Sequence, residues 1–240
     1  MGKIVAVCGS PSGGKTTVGL KIAQEIYFSK KVPVLFLSPD WNKPGLSYLF
    51  PRRKESELYS LGAVLDHTTI TKEDILNNTV YSEQMKDFGF LGLKLGENKN
   101  SYPMPTGDKV SGLFRAAEEL AAYTVVDCSS CFDDPVSAIA MRESDWVVQL
   151  IVPDLRSMGY YSSYEERYKL VESKTFKVLN RTDKDVFLPE QEVKEHFKTV
   201  LFTLPYSIAL KQQAITGSLP EKLHDPKFRK ECAALVEMLV

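Results

Sequence analysis

Gly9-Ser10-Pro11-Ser12-Gly13-Gly14-Lys15-Thr16-Thr17 fits the phosphate-binding pattern G-x-x-x-x-G-K-[ST]. Its flanks are those the pattern needs. Residues 4–7 are a short apolar, β-branched run, which predicts a buried strand, and Val18, Ile22, Ala23 and Ile26 recur at helical spacing behind it. The glycines Gly9, Gly13 and Gly14 let backbone N–H groups turn toward an anion. The helix start adds partial positive charge and unpaired donors. Lys15 is placed to reach the β- and γ-phosphates, the Thr16 hydroxyl to ligate Mg²⁺, and Thr17 to sit near the α-phosphate.

The 240 residues are enough for one large α/β domain, and 43% apolar with 25% charged residues is ordinary globular composition. A net charge of -1 gives no global field for nucleic acid; DNA binding is left to local patches such as Pro51-Arg52-Arg53-Lys54. No apolar run reaches membrane-span length, and the chain enters a strand directly, so no signal peptide is expected. Met1-Gly2 hints at myristoylation, but Ala6 fails that motif. Four cysteines in this length do not form a disulfide framework; a reducing, cytoplasmic setting fits.

Working outward, the first helix runs to about Ser29 and a strand is predicted over 32–37, ending in Ser38-Pro39-Asp40-Trp41-Asn42. Residues 43–106 are less regular. Helices are predicted over 55–65 and 71–77, with Thr71 and Asp74 as a cap pair, and a strand over 88–95. The whole of 1–240 reads as a single domain with 43–106 as an elaborated insertion. Regular alternation follows: helix 108–122, strand 123–126 closing on Asp127, helix 134–142, strand 145–152 and a long tyrosine-rich helix 154–172. Then come strand 176–180, helix 189–197, strand 199–203, and helices 207–214 and 227–240. Strands apolar throughout and alternating with helices predict an α/β fold, a mostly parallel sheet with helices on both faces.

Ligands collect at the carboxyl ends of such strands, and two strands end in aspartate. Tyr123-Thr124-Val125-Val126-Asp127 has the form of a Walker B element, whose carboxylate holds Mg²⁺ opposite Thr16. Asp40 serves equally as turn chemistry after Pro39.

These features together resemble the ParA/MinD-like P-loop ATPases (SIMIBI class) over nearly the whole chain. The late strand Val178-Leu179-Asn180-Arg181 and the stretch Leu201-Phe202-Thr203-Leu204-Pro205-Tyr206 join the resemblance. It implies ATP/ADP and Mg²⁺ as cofactors, Lys15, Asp40 and Asp127 as catalytic residues, Asp40 orienting the attacking water, and adenine recognition by Asn180 with Arg181 and Pro205 beside it. It also implies an ATP-dependent homodimer that recruits a protein partner in pilus, partition or division machinery, at a pole or the inner membrane surface. Two positions depart from the family. The signature lysine that crosses the dimer is Ser10 here, and the first aspartate of the D-x-D pair is Ser38. Losing a cross-dimer cation weakens stabilisation of phosphoryl charge, so slow or partner-dependent hydrolysis is expected. The variant is similar to the TadZ/CpaE pilus-localising branch, without its receiver-like domain.

Other features compete. Cys128-Ser129-Ser130-Cys131 admits a metal site shared across a dimer axis, hence a metal-delivery ATPase, or simply small residues beside a γ-phosphate. A small-molecule kinase or ligase would use the insertion for a second substrate pocket. The terminal helix carries Phe228, Leu235, Val236 and Leu239 beside Lys227, Arg229 and Lys230, which suits a membrane surface or a helix packed on the sheet. Tyr160, Tyr161, Tyr164 and Tyr168 predict packing or a partner surface, and His67, His196 and His224 support no triad.

Overall fold

A computed structural model describes residues 1–82 and 84–240. Its elements are β1 (Lys3–Gly9), α1 (Lys15–Lys30), β2 (Val34–Ser38), α2 (Leu46–Leu49), α3 (Leu61–Asp66), α4 (Lys72–Asn77), β3 (Val80–Tyr81), β4 (Phe88–Gly92), α5 (Gly107–Leu120) and β5 (Tyr123–Asp127). They continue as α6 (Pro135–Glu143), β6 (Trp146–Ile151), α7 (Leu155–Ser163), α8 (Glu165–Lys169), β7 (Thr175–Asn180), α9 (Glu190–Phe197), β8 (Val200–Leu204), α10 (Ile208–Thr216) and α11 (Pro226–Leu239).

One eight-stranded sheet has the order β3-β4-β2-β5-β1-β6-β7-β8. β3 runs antiparallel to β4; the other pairings among the described residues are parallel. Because both faces are covered, β1, β2 and β5 are apolar on successive residues rather than alternately. One face packs Val5, Val7, Phe36 and Val125 under α1, α2, α10 and α11. The other packs Ala6, Leu35, Val126 and Val147 under α3, α5, α6, α7 and α9.

Several expected boundaries shift, each for a local reason. β2 begins at Val34 because Pro33 has no N–H for the ladder, although its carbonyl accepts from Ala122 and Tyr123. The helix predicted over 55–65 divides into a 3-10 turn, Glu55–Glu57, and α3, which Ser60 restarts as an N-cap accepting from the Gly62 amide. The helix predicted over 154–172 breaks at Tyr164. There Ser163 Oγ bonds back to the Gly159 carbonyl at 2.8 Å, and the break lets Phe132 lie against Tyr160, Tyr164 and Tyr168. β4 stops at Gly92, opposite the last residue of β2. The two-residue β3 and four-residue α2 carry too few residues for periodicity to reveal.

α11 turns Phe228, Cys232, Leu235, Val236 and Leu239 into the core over α1 and β8. Its apolar face is therefore packed on the sheet and not presented to a membrane. No helix among the described residues is long and apolar enough to cross a membrane.

Candidate nucleotide site

β1 and β5 are neighbours, with Val7 opposite Asp127, so the loop after β1 and the end of β5 meet at one edge of the sheet. The loop turns through Ser12 at φ 60° and Gly14 at φ 86°, and α1 begins at Lys15. The Gly14 conformation is one that only glycine adopts without strain. A Cβ there would also stand 2.7 Å from Asn180 Nδ2. The Lys15 ammonium donates to the Ser10 carbonyl at 3.1 Å and to Ser130 Oγ at 2.5 Å, and Ser130 Oγ donates to the Gly9 carbonyl at 2.9 Å.

The acidic side is equally ordered. Thr16 Oγ1 donates to Asp127 Oδ2 at 2.6 Å, and Ser38 Oγ donates to the same oxygen at 3.2 Å. Asp127 is 3% exposed. Burial pushes its carboxyl up to about 6, against the Thr16 hydrogen bond and the Lys15 charge. Burial also lowers the Lys15 ammonium, opposed by Asp127 and Asp40. Each ion is short of solvation, which favours a ligand carrying both negative and positive charge, as a metal–polyphosphate does. Asp40 Oδ1 accepts from Ser129 Oγ at 3.2 Å and from the Asn42 amide at 3.0 Å. The cleft between these groups measures about 620 Å³ and takes in Lys43, Cys131, Tyr160 and Tyr164 at its mouth.

Of the residues singled out in the sequence, Gly9 to Thr17, Asp40 and Asp127 therefore converge. Asn180 lies behind the loop, its Nδ2 donating to the Gly13 carbonyl at 2.9 Å. Arg181 and Pro205 stand at the adjoining ends of β7 and β8, outside the cleft. The Arg181 side chain pairs with Glu190 and covers the Phe187 ring. Ser10 is buried and donates to Ser157 Oγ at 3.2 Å, so it points into the chain. Sequence reasoning missed Ser130 as the partner of Lys15, Ser129 as the partner of Asp40, and Ser38 as a support for Asp127. The signal for Ser129 and Ser130 lay in C-S-S-C, where the cysteines drew attention from the serines between them. The two cysteines do not act together. Cys128 is in the core at 1% exposed with its thiol pushed well up by burial, while Cys131 is exposed. Among the described residues no group of three or more His, Cys, Asp or Glu is placed to hold a metal.

No protein-family model matches the chain, and no curated protein matches it. Solved structures do. A ParA family ATPase from Chlorobium tepidum TLS superposes with a TM-score of 0.80 at 14% identity, covering 99% of each chain. The fold is that of the ParA/MinD-like P-loop ATPases. The septum site-determining protein MinD from Pyrococcus horikoshii OT3, complexed with Mg-ADP, gives a TM-score of 0.74 at 15% identity over 100% of this chain and 96% of its own. A chain of the MinC:MinD cell division protein complex of Aquifex aeolicus gives 0.74 at 14%, over 99% of this chain and 95% of its own. With the ParA/MinD-like fold, the expected mostly parallel sheet and the placement of the cleft at the strand ends hold.

Proposed function

We propose that the chain is an ATP-binding switch: a slow ATPase whose ATP state dimerises and recruits a protein partner. The convergence of Lys15, Thr16, Asp127 and Asp40 on one cleft carries this reading. Lys15 and the amides at the start of α1 bind the phosphates, and Thr16 with Asp127 holds Mg²⁺, which when bound would neutralise phosphate charge. Asp40, steadied by Ser129, orients the attacking water. Asn180, at the loop's back wall, reads adenine with Arg181 and Pro205 as its neighbours. The burial of Ser10 supports slow hydrolysis: no cation extends from that position toward a partner's phosphates.

Residues 1–240 act as one ATPase unit in this reading, with 43–106 as its partner-specific part. The MinD neighbour that is complexed with MinC supports recruitment of a protein; pilus, partition and division machinery are the candidate destinations. A groove of about 790 Å³ along the insertion, lined by Phe50, Arg52, Arg53 and Tyr59, shares no residue with the phosphate cleft, which weighs against a kinase with its second substrate there. The separated environments of Cys128 and Cys131 weigh against metal delivery.

Sedimentation of wild type and Lys15→Ala with ADP·Mg²⁺ and with ATP·Mg²⁺ tests the switch. Dimers are expected only for wild type with ATP. Wild type that stays monomeric with both nucleotides defeats the reading.

A further inference from the structure

Away from the nucleotide cleft, a second cavity of about 370 Å³ opens over β6 and β7, between α7–α8 and α9. Its volume lies in the range of small-molecule sites. Gln149 reaches it from the middle of β6, where the strand neighbours are Cys8 and Lys177. At 3% exposed this is a buried amide in a sheet centre, a costly position for an idle polar group. The neighbouring Tyr161 hydroxyl donates to the Leu150 carbonyl at 2.6 Å and accepts from the Gln149 amide, which leaves the carboxamide its oxygen and a second N–H for the cavity. Tyr161, Tyr168 and Phe197 supply buried aromatic walls.

The rim is cationic in an uneven way. Lys169 pairs with Glu165 and Glu166, and Lys177 with Glu172 and the Phe197 carbonyl. Lys198 has no carboxylate partner among the described residues. It is also held at φ 60°, ψ -52°, in a three-residue turn closed by the Thr199 amide on the Phe197 carbonyl at 2.7 Å. Such turns are rare and strained for a residue with a side chain.

We propose that this cavity binds a small anionic ligand built on a planar ring with an amide or imide edge, and that its occupancy is felt at the nucleotide loop. Gln149 matches the donor–acceptor edge, the three aromatic rings hold the ring plane, and Lys198 takes the anion. The route to the loop is direct: Tyr168 hydroxyl to Tyr160 hydroxyl at 3.5 Å, Tyr160 hydroxyl to the Ser130 carbonyl at 2.9 Å, and Ser130 Oγ to Lys15. The relay rests on the nucleotide reading above; the binding does not.

Calorimetry tests it on the full chain saturated with ADP·Mg²⁺, titrated with uridine 5′-monophosphate and with nicotinamide mononucleotide, and with uridine and inorganic phosphate as part-ligands. One mononucleotide is expected to bind at one site per chain, more tightly than either part. Gln149→Leu and the surface variant Lys198→Ala should each weaken it about tenfold or more, the size of one lost polar contact. Failure of both mononucleotides to bind, or wild-type binding by Lys198→Ala, overturns the site. ADP affinity should shift about fivefold or more with the mononucleotide present and lose that shift in Tyr160→Phe; no shift in wild type overturns the relay. ADP that fails to bind at all counts against the nucleotide reading, and the mononucleotide titration still decides the cavity.

Discussion

Replacing Gly14 by alanine should destabilise the protein through two separable effects. The first is backbone strain: at φ 86° an L-residue costs about 1–2 kcal/mol, offset by about 0.4–1 kcal/mol because alanine stiffens the unfolded chain. The second is displacement of Asn180. The new Cβ would lie 2.7 Å from Nδ2, inside contact distance, so the amide must leave the Gly13 carbonyl it binds at 2.9 Å. Asn180 is 5% exposed, and stranding such a group costs about 1–3 kcal/mol. The sum is about 3 kcal/mol. In an Asn180→Ala background only the strain remains, about 1 kcal/mol. Urea unfolding of the four proteins completes a double-mutant cycle, with an expected coupling of about 1–3 kcal/mol, the displacement share alone. A Gly14→Ala cost that is the same in both backgrounds would refute the Asn180 brace on the loop.

Three further outcomes are expected. Lys15→Ala should lower ADP affinity by about tenfold to 150-fold, the worth of a charged hydrogen bond set, measured by fluorescence titration; wild-type affinity would sink the phosphate assignment. A maleimide should label Cys131 rapidly on the native protein, and ATP·Mg²⁺ should slow it because Cys131 lies at the cleft mouth; Cys8 and Cys232, buried with thiols pushed up to about 12, and Cys128 should react only after unfolding. Lys21 is buried in α1 with its ammonium on Gln24 Oε1 and the Leu219 and Glu221 carbonyls. Burial lowers it to about 7 from 10.5, so between those values the unfolded chain binds more protons and stability rises with pH. The urea midpoint of wild type should therefore climb from pH 7 toward pH 10 more steeply than that of Lys21→Met, and parallel profiles would contradict the burial.

The P-loop, its strand and its helix were legible because three independent constraints coincide there: glycine spacing, strand-like apolar residues before it and helical periodicity after it. Asp127 was legible for the same reason, as the polar end of an apolar strand. The break at Tyr164 was not. Residues 154–172 keep an adequate helical composition, and the tertiary packing of Phe132 among the tyrosines, which no local pattern shows, joins the Ser163 back-bond in favouring the interruption. Ser38 reads in sequence as a lost aspartate, whereas in space its hydroxyl supports Asp127; a hydroxyl's partner is set by strand order, β2 beside β5, which no local pattern encodes. Gln149 was hidden likewise, one polar residue in a strand otherwise apolar from Val147 to Ile151.

The Lys15 ammonium is anchored by a carbonyl and a hydroxyl, which gives the loop a threshold for what it admits. An incoming anion must replace two good dipolar contacts before it gains anything from that charge. On the proposed reading, a chloride or a lone phosphate would offer little beyond the exchange, while a polyphosphate would engage the loop amides and Thr16 at the same time. That reading makes discrimination against small anions a property of the resting loop, ahead of any contact to a nucleobase.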